Sequence, residues 1–270
     1  MSEITISGAV GERPAANNAV DVIKLQMLLQ VVDPPLQNKV ADTGQLDAPT
    51  LAAIREFQKR FLAHPDGHID PGGPSLQKLR AYARGTAEQR AAVSADVVAA
   101  KTWLGVVNRR LGHSRDADML RKVKNIFHIA PDGGRYPDLR NRFVELAKRF
   151  TQDFPRAYLP TTSLYGAWVL QGDSAGTMFF PLNYAETSQE ERVTTLIHER
   201  AHTVFKIGHA GMRQEAGTAD FAMNPDDDNG YTAEQSFGNA YCYGWLAQSL
   251  QPGYAPQAGG EVITGSPTGH

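Results

Sequence analysis

With a single cysteine, Cys242, in 270 residues, the chain can form no intrachain disulfide, so its fold cannot rest on a cystine framework. Long apolar runs are missing too. No stretch approaches the roughly 18–20 apolar residues that span a bilayer. The opening MSEITISGAVGERPAANNAV lacks a basic segment followed by an apolar one, and so gives no sign of a secretory leader. Synthesis in a reducing cytoplasm, without a signal peptide, is the expectation. An overall excess of one charge is absent as well, the net charge being −2. It is unevenly spread: residues 86–160 carry 8 acidic and 14 basic side chains, residues 161–270 carry 12 and 4. The basic segment shows no interleaved aromatics and no nucleic-acid motif. The two segments are therefore expected to lie side by side rather than to bind nucleic acid.

What remains is ordinary globular composition, 41% hydrophobic and 21% charged, enough for one large or two modest domains. Helical periodicity marks residues 17–31, with Val20, Ile23, Met27 and Leu28 on one face. A second helix follows DTGQLDAPT, capped near Asp47 or Thr50 and burying Leu51, Ile54, Phe57 and Phe61. HPDGHIDPGGPSLQKL repeats the scheme with a turn at Asp66-Gly67, a cap at Ser75, and Leu76 and Leu79 facing inward. The strings TGQLDAPTLAAI and DGHIDPGGPSLQKL thus form an internal half-repeat. Residues 81–92 are predicted to be a short helical or flexible linker, with helices over about 93–112 and 137–152. A short strand is expected around Met178, Phe179 and Phe180, and a Gly/Pro-rich flexible tail over 252–270.

Residues 15–80 resemble the peptidoglycan-binding-like domain, a small three-helix module. The likeness rests on Leu25, Gln26, Leu28 and Leu29, on Gly44, Leu46 and Thr50, on Phe57-Gln58, and on the closing DGHID…SLQKL. The loop after the first helix is longer than the family's. The resemblance implies affinity for the peptide and glycan parts of bacterial cell wall.

The chemistry concentrates in TSQEERVTTLIHERAHTVF. Ser188 with Glu191 forms a capping box, Thr187 with Glu190 being the off-by-one alternative. Val193, Leu196 and Ile197 supply an apolar face, and Gly208 is the expected stop. On such a helix His198 and His202 stand one turn apart and can converge on one metal ion. Glu199, beside the first ligand, is placed to take the proton of an attacking water. By residue frequency alone this pattern arises in under about 1 in 100 chains of such length. A third ligand is required. His209 is one place late for the metzincin spacing, whose position falls on Gly208. Glu215, Glu234 and Asp220 are the acidic options.

HERAH followed by GTADFAMN resembles the aspzincins, the deuterolysin and peptidyl-lysine metalloendopeptidase group, whose pattern is HExxH followed by GTxDxxYG. Gly217, Thr218 and Asp220 match, and GNAYCYGWLAQ is similar to the family's closing helix. The likeness covers residues 95–250. It implies Zn2+ held by His198, His202 and Asp220, with Glu199 as general base. Met223 stands where the family has a tyrosine thought to stabilise the oxyanion. Tyr231, Tyr241 and His209 are the donors available to replace it. Asp226, Asp227 and Asp228 read as a solvated loop. Trp103, Trp168 and Trp245 read as packing residues, Cys242 as a small buried one, and His64, His68, His113 and His128 as isolated.

Together these readings give a mainly α protein. Residues 1–85 are expected to form the three-helix wall-binding module, and 86–251 a mostly helical zincin-type α+β catalytic domain with a small sheet. The expected activity is zinc-dependent hydrolysis of peptide bonds in bacterial envelope proteins or peptidoglycan peptides. A wall module without a leader points to action in the periplasm or outside the cell after non-classical export, as a type VI or phage-type effector. Its partners would then include a secretion-apparatus carrier and an immunity protein. A non-catalytic wall-binding or secretion-machine structural protein with a vestigial zinc site is the alternative.

Overall fold

The computed structural model describes residues 3–12, 14–113, 116–130, 133–163, 166–210 and 230–254. Helix dominates. Three helices, α1 (Ala19–Gln30), α2 (Ala48–Gln58) and α3 (Pro74–Tyr82), are tied by a two-residue ladder of β1 (Val10–Gly11) with β2 (His68–Ile69). A second group comprises α4 (Ala87–Gly112), α5 (Ala117–Phe127), α6 (Tyr136–Thr151), α7 (Gln189–Phe205), α8 (Ala233–Phe237) and α9 (Ala240–Ser249). Between the groups lies a sheet of β3 (Arg156–Tyr158), β5 (Met178–Phe180) and β4 (Trp168–Val169), in that spatial order. β3 runs parallel to β5, and β4 antiparallel to it. Among the described residues no helix is long and apolar enough to cross a membrane.

The half-repeat in the sequence is a repeated hydrogen-bond device. The Gln26 carboxamide, at the middle of α1, accepts from Gly44 N (3.0 Å) and donates to Gln45 O and Thr50 Oγ1 (both 3.0 Å). The Gln58 carboxamide, at the end of α2, accepts from Gly67 N (2.8 Å) and donates to His68 O (2.8 Å) and Ser75 Oγ (3.2 Å). Each buried glutamine thus clamps the turn that leads into the next helix. Both turns need a glycine at φ near +70°, Gly44 at +71° and Gly67 at +68°, where side-chain-bearing residues are disfavoured. Asp47 caps α2 through Thr50 N (2.8 Å) as expected. Ser75 does not cap α3: Gly73 is the N-cap, Pro74 opens the helix, and the Ser75 hydroxyl is drawn inward by Gln58.

The sheet is buried on both faces, and side-chain alternation distributes its residues between two cores. Tyr158, Met178 and Phe180 join the core of α4, α5, α6, α7 and α9. Ala157, Phe179, Leu159 and Leu170 join the core of α1, α2 and α3. The apolar core of the first 85 residues therefore continues onto the sheet. The outer edge of β3 is covered by bridges from Glu3 and Arg84, with Tyr158 N donating to Ala83 O at 2.9 Å. β4 forms the other edge.

Two expectations are refined. Of the two forms expected for residues 81–92, the chain takes the helical one, as the ends of two longer helices: α3 runs to Tyr82 and α4 starts at Ala87, fixed by a capping box between Thr86 and Gln89. Only residues 83–86 lie between the helices. And α5 adds a helix that periodicity did not single out, its buried face Met119, Val123, Ile126 and Phe127. The basic and acidic segments pack side by side, and Arg135 of the first pairs with Glu234 of the second.

Candidate metal centre

α7 carries the site. Its start is fixed by the Ser188–Glu191 capping box: Ser188 Oγ accepts from Glu191 N (3.2 Å) and Glu191 Oε2 from Ser188 N (2.9 Å). Val193, Leu196, Ile197 and Ala201 are fully buried and hold the helix against α4, α6 and α9. The approach of α9 is close. A Cβ on Gly244 would lie 3.0 Å from Thr194 O and 3.7 Å from His198 Cβ, so only glycine lets α9 come this near without displacement. The Tyr241 ring on α9 thereby reaches the His198 imidazole, their centroids 4.0 Å apart, while Trp245 stacks on the tyrosine ring at 5.2 Å.

The helix ends earlier than expected, at Phe205 rather than at Gly208. Lys206 adopts the left-handed conformation (φ 55°), its N–H donating to His202 O at 3.1 Å. The turn brings Ile207 O to within 2.8 Å of His202 Nδ1. Residues 208–210 are then pinned to the α8–α9 junction. Ala240 N donates to Gly208 O (3.0 Å) and Asn239 Nδ2 to Ala210 O (3.1 Å).

This turn delivers His209. The Nε2 atoms of His198, His202 and His209 form a triangle with edges of 2.9 Å (198–202), 3.0 Å (202–209) and 3.1 Å (198–209). With Nδ1 of His202 protonated toward Ile207 O, the neutral ring leaves its Nε2 lone pair bare. Three ring nitrogens cannot all be satisfied by sharing protons at this spacing, whereas one cation accepts three lone pairs. Tetrahedral zinc with Zn–N of about 2.0–2.1 Å asks for nitrogens roughly 3.3 Å apart, close to what is found. Each imidazole is also held in the neutral, ligating form. Burial pushes His198 well below the usual imidazole range, aided by His202 and His209. Burial lowers His202 against the opposing bond to Ile207, and burial with His202 lowers His209 to about 4. The donor set fits zinc.

Glu199 lies beside the triangle, buried, with Oε1 3.6 Å from His198 Nε2. Its Oε2 accepts from Val169 N on β4 at 3.1 Å. The carboxylate is thus suspended between the metal-binding helix and the edge strand.

Of the residues expected from the sequence, the structure brings together His198, His202, Glu199 and Tyr241. The Tyr241 ring also lies 4.7 Å from that of His209. Tyr231 is half-buried against the core, its phenol pushed up by burial and by nearby Cys242. Cys242 is buried and its thiol is pushed up by burial, which makes it a packing residue. Glu234 is not drawn into the cluster but sits exposed, paired with Arg135. Asp220, Glu215, Met223 and the three aspartates at 226–228 lie outside the described residues. His209 as a third nitrogen is what sequence spacing missed. Seven residues beyond His202 it would share the same face of a continuous helix but stand about 10 Å further along the axis, and only the left-handed turn at Lys206 folds it back.

No family model matches the chain, and no curated protein matches it. Among solved structures, a zinc peptidase from Grifola frondosa superposes with a TM-score of 0.46 at 13% identity, covering 61% of this chain and 96% of that one. A likeness this slight carries no argument, and function has to be read from the geometry of the site.

Proposed function

We propose that the protein is a zinc-dependent peptidase. The observation that carries this reading is the triangle of three imidazole nitrogens, 2.9–3.1 Å apart, with a buried glutamate oxygen 3.6 Å from one of them. His198, His202 and His209 would hold the ion, which when bound supplies Lewis acidity toward a carbonyl oxygen and toward water. Glu199 takes a proton from the attacking water and passes it to the leaving amine, acting first as base and then as acid. Val169 N–H holds the carboxylate in place for both transfers. β4, an edge strand, carries the amide that anchors Glu199. Tyr241, packed on two of the imidazoles, orients their rings.

Two finer points belong to the same proposal. The resemblance to aspzincins assigns Asp220 as a ligand, and His209 is the third nitrogen within reach among the described residues. The resemblance of residues 15–80 to wall-binding modules favours peptidoglycan peptides or bacterial envelope proteins as substrates.

The test is metal content together with digestion of purified sacculi and of a denatured protein mixture, products being read by mass spectrometry. One zinc per chain and cleavage that disappears in Glu199→Gln, with zinc retained, are expected. A protein that binds no zinc, or cleaves equally well without Glu199, overturns the reading. Zinc bound with no cleavage of either substrate would favour the vestigial-site alternative. His209→Ala and Asp220→Ala compared for zinc affinity identify the third ligand.

A further inference from the structure

We infer that Lys24, in the first helix, is a positioning residue for the general base, acting through a buried strap that joins the N-terminal helices to the edge strand. This rests on the peptidase reading above. The Lys24 side chain is 2% exposed, and its Nζ meets Asp173 Oδ1 at 2.7 Å across 149 residues of chain. The ammonium also donates to Thr5 O at 2.9 Å. Asp173 organises the β4–β5 turn: its carboxylate accepts from Ala175 N (3.0 Å) and Thr177 N (2.8 Å). Its own N–H donates to Leu170 O at 3.1 Å.

From Leu170 the path to the base is one residue long. Leu170 is buried in the N-terminal core, and the preceding Val169 offers its N–H to Glu199 Oε2 at 3.1 Å. Trp168, before that, stacks on Phe179 (5.8 Å) and packs against the same core. β4 pairs with β5 over two residues only, too short a ladder to hold an edge strand firmly by itself. What fixes it on the far side is the N-terminal core and the Lys24–Asp173 pair. The first helices therefore set where the amide that holds Glu199 stands. A module tethered only by its linker would not reach into the site in this way.

The test compares Lys24→Met, which keeps the apolar stem, with Lys24→Arg, which keeps the charge. Site-resolved hydrogen exchange is read at Val169 and at buried amides of α7, alongside zinc content and steady-state cleavage of a denatured protein. Lys24→Met should retain zinc, and Val169 should exchange at least about tenfold faster over and above any drop shared with the buried amides of α7, one lost hydrogen bond's worth of protection. Its kcat should fall about 10–100-fold, the order expected of a misplaced catalytic group, with KM little changed. Lys24→Arg should recover most of both. Unchanged exchange at Val169, or a loss of protection there no greater than that of α7, overturns the strap. Should Lys24→Met fail to fold, Leu170→Val, one methylene smaller on the same turn, carries the test with the same signs. Should the wild type cleave nothing, the peptidase reading fails while the exchange comparison still decides the strap.

Discussion

Glu199 is buried between two elements, one oxygen accepting from Val169 N–H and the other standing 3.6 Å from His198 Nε2. Gln at this position keeps the shape and the bond to Val169 but cannot take a proton. Glu199→Gln should lower kcat by about 10²–10⁴, the usual worth of a general base, without loss of zinc measured by atomic spectroscopy. His209→Ala should instead act on the metal. It removes one of three nitrogens, so zinc affinity is expected to fall by well over tenfold, the least that even losses outside the ligand set produce, as followed by competition with a chromogenic chelator. At this scale the sequence was legible where spacing is helical. His198, Glu199 and His202 are one turn of α7. His209 was not, because its place depends on Lys206 taking a conformation that nothing in a β-carbon-bearing side chain announces.

Elements here are positioned by their ends and by one bare surface. The capping box of α7 was readable from Ser188 and Glu191 because it needs only residues three apart. Ser188→Ala removes an acceptor for Glu191 N and should cost about 1 kcal/mol, seen as a lower urea midpoint with an unchanged slope. Gly244 tells the opposite story. As an isolated glycine in a helix it looks like a weakness, since alanine there normally gains up to about 1 kcal/mol. The contact with Thr194 O, at 3.0 Å from the added carbon, is with backbone that cannot rotate away. Gly244→Ala should therefore destabilise by about 1–3 kcal/mol, the cost of overpacking, and the Tyr241 ring should move off His198, visible as altered zinc affinity. α5 had a clear apolar stripe in Met119, Val123, Ile126 and Phe127, but a short helix among longer neighbours is overlooked when only the longest periodic windows are read.

At the scale of the whole molecule, two helical groups share one small sheet. The sequence predicts a mainly α protein with a small sheet, and that is what is found. It could not show that β5 would place Phe179 in one core and Met178 and Phe180 in the other, because both faces read as the same unbroken apolar run. Nor could it show Lys24 meeting Asp173, since charge pairing across 149 residues has no local signature. Removing one partner of such a buried pair should cost about 3–5 kcal/mol. The pair also sets an acid limit. Burial raises the Asp173 carboxyl, but the Lys24 ammonium and the bonds from Thr177 outweigh it and hold it below its ordinary range. The folded pKa is thus lower than the unfolded one of about 3.9. Its stabilisation is complete above that pH and lost as pH falls through the folded value. In Lys24→Met the counter-charge is gone and burial dominates, so stability should begin to decline at a higher pH than in wild type, as urea midpoints between about pH 2 and 7 would show.

The ammonium that closes this loop comes from the first tenth of the chain and the carboxylate from its second half. A chain still being made, or one passing unfolded through a narrow pore, has the metal-binding helix in its sequence but not the brace behind its edge strand. Cleavage competence should therefore return late on refolding, after helix content has recovered. A timed refolding experiment that samples far-ultraviolet circular dichroism and peptide cleavage in parallel would show the two curves separate.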